Sequence, residues 1–228
     1  MSEFFEPPPP PPERDPRERR VRPWMQAPLG TVPGVVPLEL VLAQTGRAAV
    51  FITHLAGYPE GFQFELVAIA AAGDDQETVL DPMLFGLHRR RLRPGDGDIP
   101  EDMLRIGVQF SDGRKATNTS GFPERRPDYE NPPEGPVMHS GDGGGHEHRW
   151  HQSLWVWPLP PPGPLALVCQ WPAAGIPLTR HELDAQLILD AAARAQVVFP
   201  DSPHPGGTIS TSIHSIETPQ ARPTRSPD

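Results

Sequence analysis

A single cysteine in 228 residues excludes an intramolecular disulfide and any zinc site built from several thiolates. Long apolar runs are missing: none approaches the ~20 residues that a membrane-spanning helix needs. No basic segment followed by an apolar stretch opens the chain, so no secretory signal is read and a cytoplasmic location is expected, with no membrane partner. Basic charge is scarce too. The 20 Lys and Arg against 29 Asp and Glu leave a net charge of −9 and a pI near 5.4, which argues against a nucleic-acid partner. Catalytic signatures are also missing: there is no Gly-x-Ser-x-Gly elbow, dinucleotide loop, kinase-like set or paired-carboxylate arrangement. Gly143-Gly-Gly145 is no phosphate loop, because neither a lysine nor a helix follows it. Without a secretory route, the glycosylation match Asn118-Thr119-Ser120 carries no weight.

Proline is what the chain has in excess: 33 prolines and 21 glycines make up about 24% of it, near the level of low-complexity segments. Only 36% of residues are hydrophobic, so a core must come from part of the chain. The expected organisation is a disordered proline-rich arm over 1–32, one domain over 33–200 and a disordered tail over 201–228. Long loops are expected near 73–102 and 120–147, and no internal repeat is evident. The arm holds the run Pro7–Pro12 and alternating charges, which fits a polyproline II spacer or a docking arm for a proline-recognising domain. Phe4, Phe5 and Trp24 are candidate anchors onto the body.

The core is expected to centre on residues 150–177, which hold four of the 5 tryptophans and the cysteine. Leu154–Trp157 and Leu165–Trp171 read as strands on either side of a proline bridge, because prolines bound but do not join a ladder. Leu154–Trp157 is apolar on both faces, as in a central strand. The bridge is too long and stiff for a tight hairpin, which points to two different sheets. Earlier, Leu38–Leu42, Ala48–Leu55 and Phe62–Ile69 read as a three-stranded meander, the last with clean period-two alternation. Leu104–Phe110 alternates as well, and Asp112-Gly113 turns it into a returning strand over Lys115–Thr119. Thr179–Asp184 reads either as a helix start with a capping box or, preferably, as a last strand. In the second reading Asp184 caps a helix over Ala185–Gln196 with an apolar stripe at Leu187, Ile188, Ala191 and Ala195.

Candidate chemistry is thin. The metal candidates are His146 and His148, which would share one side of an extended strand beside His139, Asp142 and Glu147. A third ligand is not identifiable, and a polar glycine-rich loop is the plainer reading. The tryptophans read as core or subunit interface, with a stacking platform as the alternative. Cys169 reads as a buried core thiol rather than a nucleophile. Arg89, Arg90, Arg91 and Arg93 read as a solvated charge run, and Asp96, Asp98 and Glu101 miss the spacing of a calcium loop. His54 and His181 stand singly. No catalytic residue and no cofactor is assigned.

At Trp155-Val-Trp-Pro-Leu-Pro-Pro-Pro-Gly-Pro164, Val168-Cys-Gln-Trp-Pro-Ala-Ala-Gly-Ile-Pro177 and Asp190-Ala-Ala-Ala-Arg-Ala195, the chain resembles uncharacterised hypothetical proteins of high-GC bacteria. Asp81-Pro82, Ser111–Gly113 and Gly121-Phe-Pro123 extend the resemblance over roughly 30–200. It implies a bacterial cytosolic protein and carries no activity. The expected fold is therefore all-β in the main: an antiparallel β-sandwich of about 7–8 strands with one C-terminal helix. The expected function is a non-catalytic structural or protein-interaction module that binds a protein partner or self-associates. The alternatives are a metal-dependent hydrolase using His146 and His148, and a small-molecule- or carbohydrate-binding sandwich.

Overall fold

The computed structural model describes residues 22–71, 99, 101, 103–119, 131–146 and 148–199. The fold is mainly β, with antiparallel sheets and one helix among the described residues. The first strands are β1 (Thr31–Val32), β2 (Gly34–Val36), β3 (Leu40–Gln44), β4 (Ala48–Tyr58) and β5 (Gly61–Ala70). There follow β6 (Arg105–Gln109), β7 (Lys115–Thr117), β8 (Val137–His146), β9 (Arg149–Trp157) and β10 (Pro164–Trp171). The chain then runs through β11 (Ile176–Asp184), α1 (Gln186–Ala193) and β12 (Gln196–Val197).

The largest sheet has the order β2-β4-β5-β9-β8, with β3 beside β2 along the same edge of β4. A second sheet has the order β11-β10-β6-β7, and β1 pairs with β12 alone. The inner faces of the two large sheets share one core. Phe62, Phe64 and Leu66 of β5, with Leu154 and Val156 of β9, enter it from the first. Leu104, Ile106, Val108 and Phe110 around β6, with Leu165, Leu167, Cys169 and Trp171 of β10, enter it from the second. The alternation in both segments thus works as period two requires. β9 lies between β5 and β8, and β10 between β11 and β6, so the two aromatic strands are interior strands of different sheets.

Helix α1 packs where the sheet has no side chains. Gly34 and Gly57 are register partners, and a Cβ on Gly34 would sit 1.9 Å from the Ala191 carbonyl oxygen. A Cβ on Gly57 would sit 2.5 Å from the Ala192 nitrogen. Ile188, Ala191 and Ala192 are buried there, and the Asp184 carboxylate accepts from the Gln186 N–H at 2.9 Å to satisfy the first turn.

Several expectations need correction. Twelve strands are found among the described residues rather than seven or eight. Ordered chain begins before residue 33: β1 lies within the stretch assigned to the arm, and Trp24 packs on the body. Helix α1 ends at Ala193 rather than 196, because Gln196-Val197 pairs with Val32 and Thr31. Leu187, expected in the apolar stripe, is exposed, and Ala192 takes its place. The loop expected over 120–147 contains the ten-residue strand β8. Its glycines do not break it, because it is an edge paired through its main chain, and they make room for the side chains of β9. A Cβ on Gly143 would meet Gln152 Oε1 at 2.6 Å, and one on Gly145 would meet Trp150 Cε3 at 2.4 Å. The remaining loop expected near 73–102, the tail 201–228 and the anchors Phe4 and Phe5 fall almost wholly outside the described residues.

Candidate functional site

The outer face of the largest sheet carries an aromatic cluster, and strand alternation builds it. With Leu154 and Val156 turned into the core, Trp155 and Trp157 of β9 project outward. Trp155 faces Gln63 of β5 on one side and His139 of β8 on the other. Tyr58, at the end of β4, meets Trp155 edge to face at 5.4 Å and 82°. Gly61 allows this, because a Cβ there would lie 2.6 Å from the Trp155 ring. Burial raises the Tyr58 phenol above its ordinary value, so the phenol stays protonated near neutral pH.

The root of the N-terminal arm sits on this cluster. Arg22–Met25 is a turn closed by the Met25 N–H to the Arg22 carbonyl at 2.9 Å, with Pro23 at its second position. The Pro23 carbonyl accepts from the Trp155 indole N–H at 2.9 Å. Trp24 lies against Trp157 at 6.1 Å and 64°. Such edge-to-face pairs contribute about 0.5–1.5 kcal/mol beyond the area they bury. Trp155 is 3% exposed, so its polar edge, shielded from water, relies on the peptide carbonyl for its partner. The cluster therefore holds the chain's own Pro23-Trp24 segment by one directed hydrogen bond and an aromatic contact. A polar strip borders it. Thr53 Oγ1 donates to Glu65 Oε1 at 2.8 Å, Gln63 Nε2 bonds Ser153 Oγ, and His54 stands opposite Glu65 in the register.

Of these residues, sequence reading singled out Trp24, Trp155 and Trp157 but did not join them. Pro23, Tyr58 and Gly61 were not singled out. The Pro23-Trp24 pair inside an otherwise charged and proline-rich stretch was the available signal.

The metal candidates are arranged differently from expectation. His146 closes β8 opposite Arg149, and His148 lies in a turn just before β9, so the two are not residues of one unbroken strand. The His146 side chain and Glu147 lie outside the described residues. The His148 carbonyl accepts from the Ala70 N–H at 2.8 Å, tying that turn to β5. His139 stands beside Trp155, away from the turn. The Asp142 carbonyl, at a bulge in β8, accepts from Gln152 Nε2 at 3.2 Å, as the Gly141 carbonyl does at 2.8 Å. No group of three or more His, Cys, Asp or Glu among the described residues is placed to hold a metal ion.

Cys169 faces the core on β10, and burial pushes its thiol up to about 12, the opposite of an activated nucleophile. His181 donates from Nε2 to the Leu42 carbonyl at 2.7 Å, joining β11 to β3, while His54 is exposed. Asn118 of the glycosylation match is engaged with the main chain of β6: its Oδ1 accepts from Ile106 N–H at 3.0 Å and its Nδ2 donates to the Leu104 carbonyl at 2.8 Å. The four arginines, Asp96 and Asp98 lie outside the described residues, as do Asp81-Pro82 and Gly121-Phe-Pro123. No helix among the described residues is long and apolar enough to cross a membrane. No protein-family profile, curated protein or solved structure matches the chain.

Proposed function

We propose that the protein is a cytosolic, non-catalytic interaction module whose outer aromatic face docks proline-bearing peptide segments. One observation carries this reading: the Trp155 indole N–H is bonded to the Pro23 carbonyl while Trp24 packs on Trp157. A face that takes a turn of its own chain by a main-chain carbonyl and an aromatic ring has the chemistry to take the same elements from a partner. Proline suits that role, because its fixed φ presents the carbonyl with little ordering cost. The single thiol is buried with a raised pKa and His181 is tied to a main-chain carbonyl, which supports a binding role over nucleophilic chemistry.

The test uses the full-length chain labelled with 15N. Trp24→Ala should shift the Trp155 indole N–H resonance, and a synthetic peptide spanning residues 16–30 should reverse the shift saturably. A variant whose indole resonance ignores millimolar peptide would remove the docking function from this face.

A further inference from the structure

The segment seated on the aromatic face is a closed β-turn, and that decides which of its atoms the face can read. The Met25 N–H closes onto the Arg22 carbonyl at 2.9 Å, with Pro23 and Trp24 at the two central positions. Proline suits the first of these, because its fixed φ matches the turn. Closure uses the first carbonyl and the last N–H, so the central peptide between Pro23 and Trp24 finds no partner within the turn. Its carbonyl is the atom that the Trp155 indole N–H bonds, at 2.9 Å. The next side chain, Trp24, is the one that packs on Trp157. Trp155 and Trp157 lie two residues apart on one side of β9, about 6.6–6.8 Å along the strand. Two adjacent groups of one turn thus meet two adjacent outward positions of one strand.

A polyproline II helix fits these positions poorly. It repeats every three residues, about 9 Å along its axis, and brings prolyl rings that need open aromatic faces. The Trp155 ring is already engaged. Tyr58 meets it at 82°, and the main chain at Gly61 lies so close that an added Cβ would stand 2.6 Å from the ring. What Trp155 offers a ligand is its N–H edge. The sequence points the same way. Of the 33 prolines only Pro23 is followed by Phe, Trp or Tyr, and that pair is the one seated here. We infer that the docking face selects a β-turn with proline at its second position and an aromatic residue at its third, and that a run of prolines is not its ligand. This names the ligand class of the peptide-docking face and rests on that reading. The tethered turn is then a built-in competitor, held at an effective concentration on the order of millimolar.

Two measurements on the full-length 15N-labelled chain test it. Met25→Pro keeps Pro23 and Trp24 but removes the N–H that closes the turn. The Trp155 indole resonance should then move as far as it does in Trp24→Ala. This readout needs no added peptide, so it stands apart from docking in trans. Either variant, with the turn opened, is next titrated with three probes: the disulfide ring Cys-Arg-Pro-Trp-Met-Cys, its linear counterpart Ser-Arg-Pro-Trp-Met-Ser, and hexaproline. The ring should bind about tenfold more tightly than the linear peptide, the gain expected when a free peptide populates the turn roughly a tenth of the time. Hexaproline should give no saturable shift at millimolar concentration. An indole resonance unmoved by Met25→Pro, a ring no tighter than the linear peptide, or hexaproline binding as well as the ring would each overturn the selection of a turn while leaving peptide docking in place. Failure of all three probes would instead remove docking itself, and the ligand class with it.

Discussion

Replacing Gly34 by alanine tests how α1 is seated. The added Cβ would lie 1.9 Å from the Ala191 carbonyl oxygen and 2.6 Å from its carbonyl carbon. Ordinary contact begins near 3.4 Å, so the helix must retreat on the order of 1.5 Å at that turn. A flexible side chain could swing away, but the obstacle is main chain. Retreat loosens Ile188, Ala191 and Ala192, the buried face of α1. Overpacking of this kind costs about 1–3 kcal/mol. Stiffening of the unfolded chain returns about 0.4–1 kcal/mol, since φ at Gly34 is not in the left-handed region. The expected net loss is ~1.3 kcal/mol, or a Tm lower by roughly 3–5 °C for a chain of this size. Urea and thermal unfolding followed by circular dichroism measure it. Gly46→Ala, with nothing within 4 Å of the new Cβ and no left-handed φ, serves as the control and should gain about 0.4–1 kcal/mol. Combining Gly34→Ala with Gly57→Ala should cost less than the sum, because one displacement of the same helix relieves both. A Gly34→Ala protein as stable as the wild type would refute the close seating of the helix.

Two further outcomes follow from side chains of β10 and β9. The Cys169 thiol ordinarily titrates near 9.0 and in the fold near 12, so below pH 9 both states are protonated and pH has no effect through it. Between those values the unfolded chain releases a proton that the folded chain keeps, so stability falls as pH rises, by up to about 1.4 kcal/mol per pH unit. Urea midpoints at pH 8 and 10 should show this fall, and Cys169→Ala should flatten it. Gln152→Leu should cost about 0.5–1.5 kcal/mol, because the carbonyls of Gly141 and Asp142 lose their donor. Faster amide exchange across β8 with an unchanged β10 is the accompanying signature, and an unaltered urea midpoint would contradict it.

The interior strands were legible because burial imposes a period on them. Phe62, Phe64 and Leu66 alternate with polar residues, and Leu104 to Phe110 does the same before Asp112-Gly113, where Gly113 takes a φ of 87°. β8 was not legible, because an edge strand needs a free main chain and a neighbour rather than an apolar pattern. Its glycines serve the side chains of Gln152 and Trp150, residues that come later in the chain. β1 and β12 were illegible for a related reason. Each has two residues, and each exists because of the other across most of the sequence. The candidate site was half visible. Its tryptophans stand out, but the partner of Trp155 is a main-chain carbonyl, which every residue possesses. The histidine pair is not aligned on one strand, since β8 ends at His146 and His148 lies in the turn before β9.

The antiparallel pairing of β1 with β12 also sets how the molecule answers to pulling. Thr31 faces Val197, so the chain enters the ribbon and leaves it at the same end. Tension applied to the two ends therefore opens the ribbon like a zipper, one pair at a time, rather than shearing all its bonds together. On the N-terminal side, the clasp of Pro23 and Trp24 on Trp155 and Trp157 lies further out and takes the load first. Under force the protein should yield in two small steps at its margin while the shared core of the large sheets stays intact.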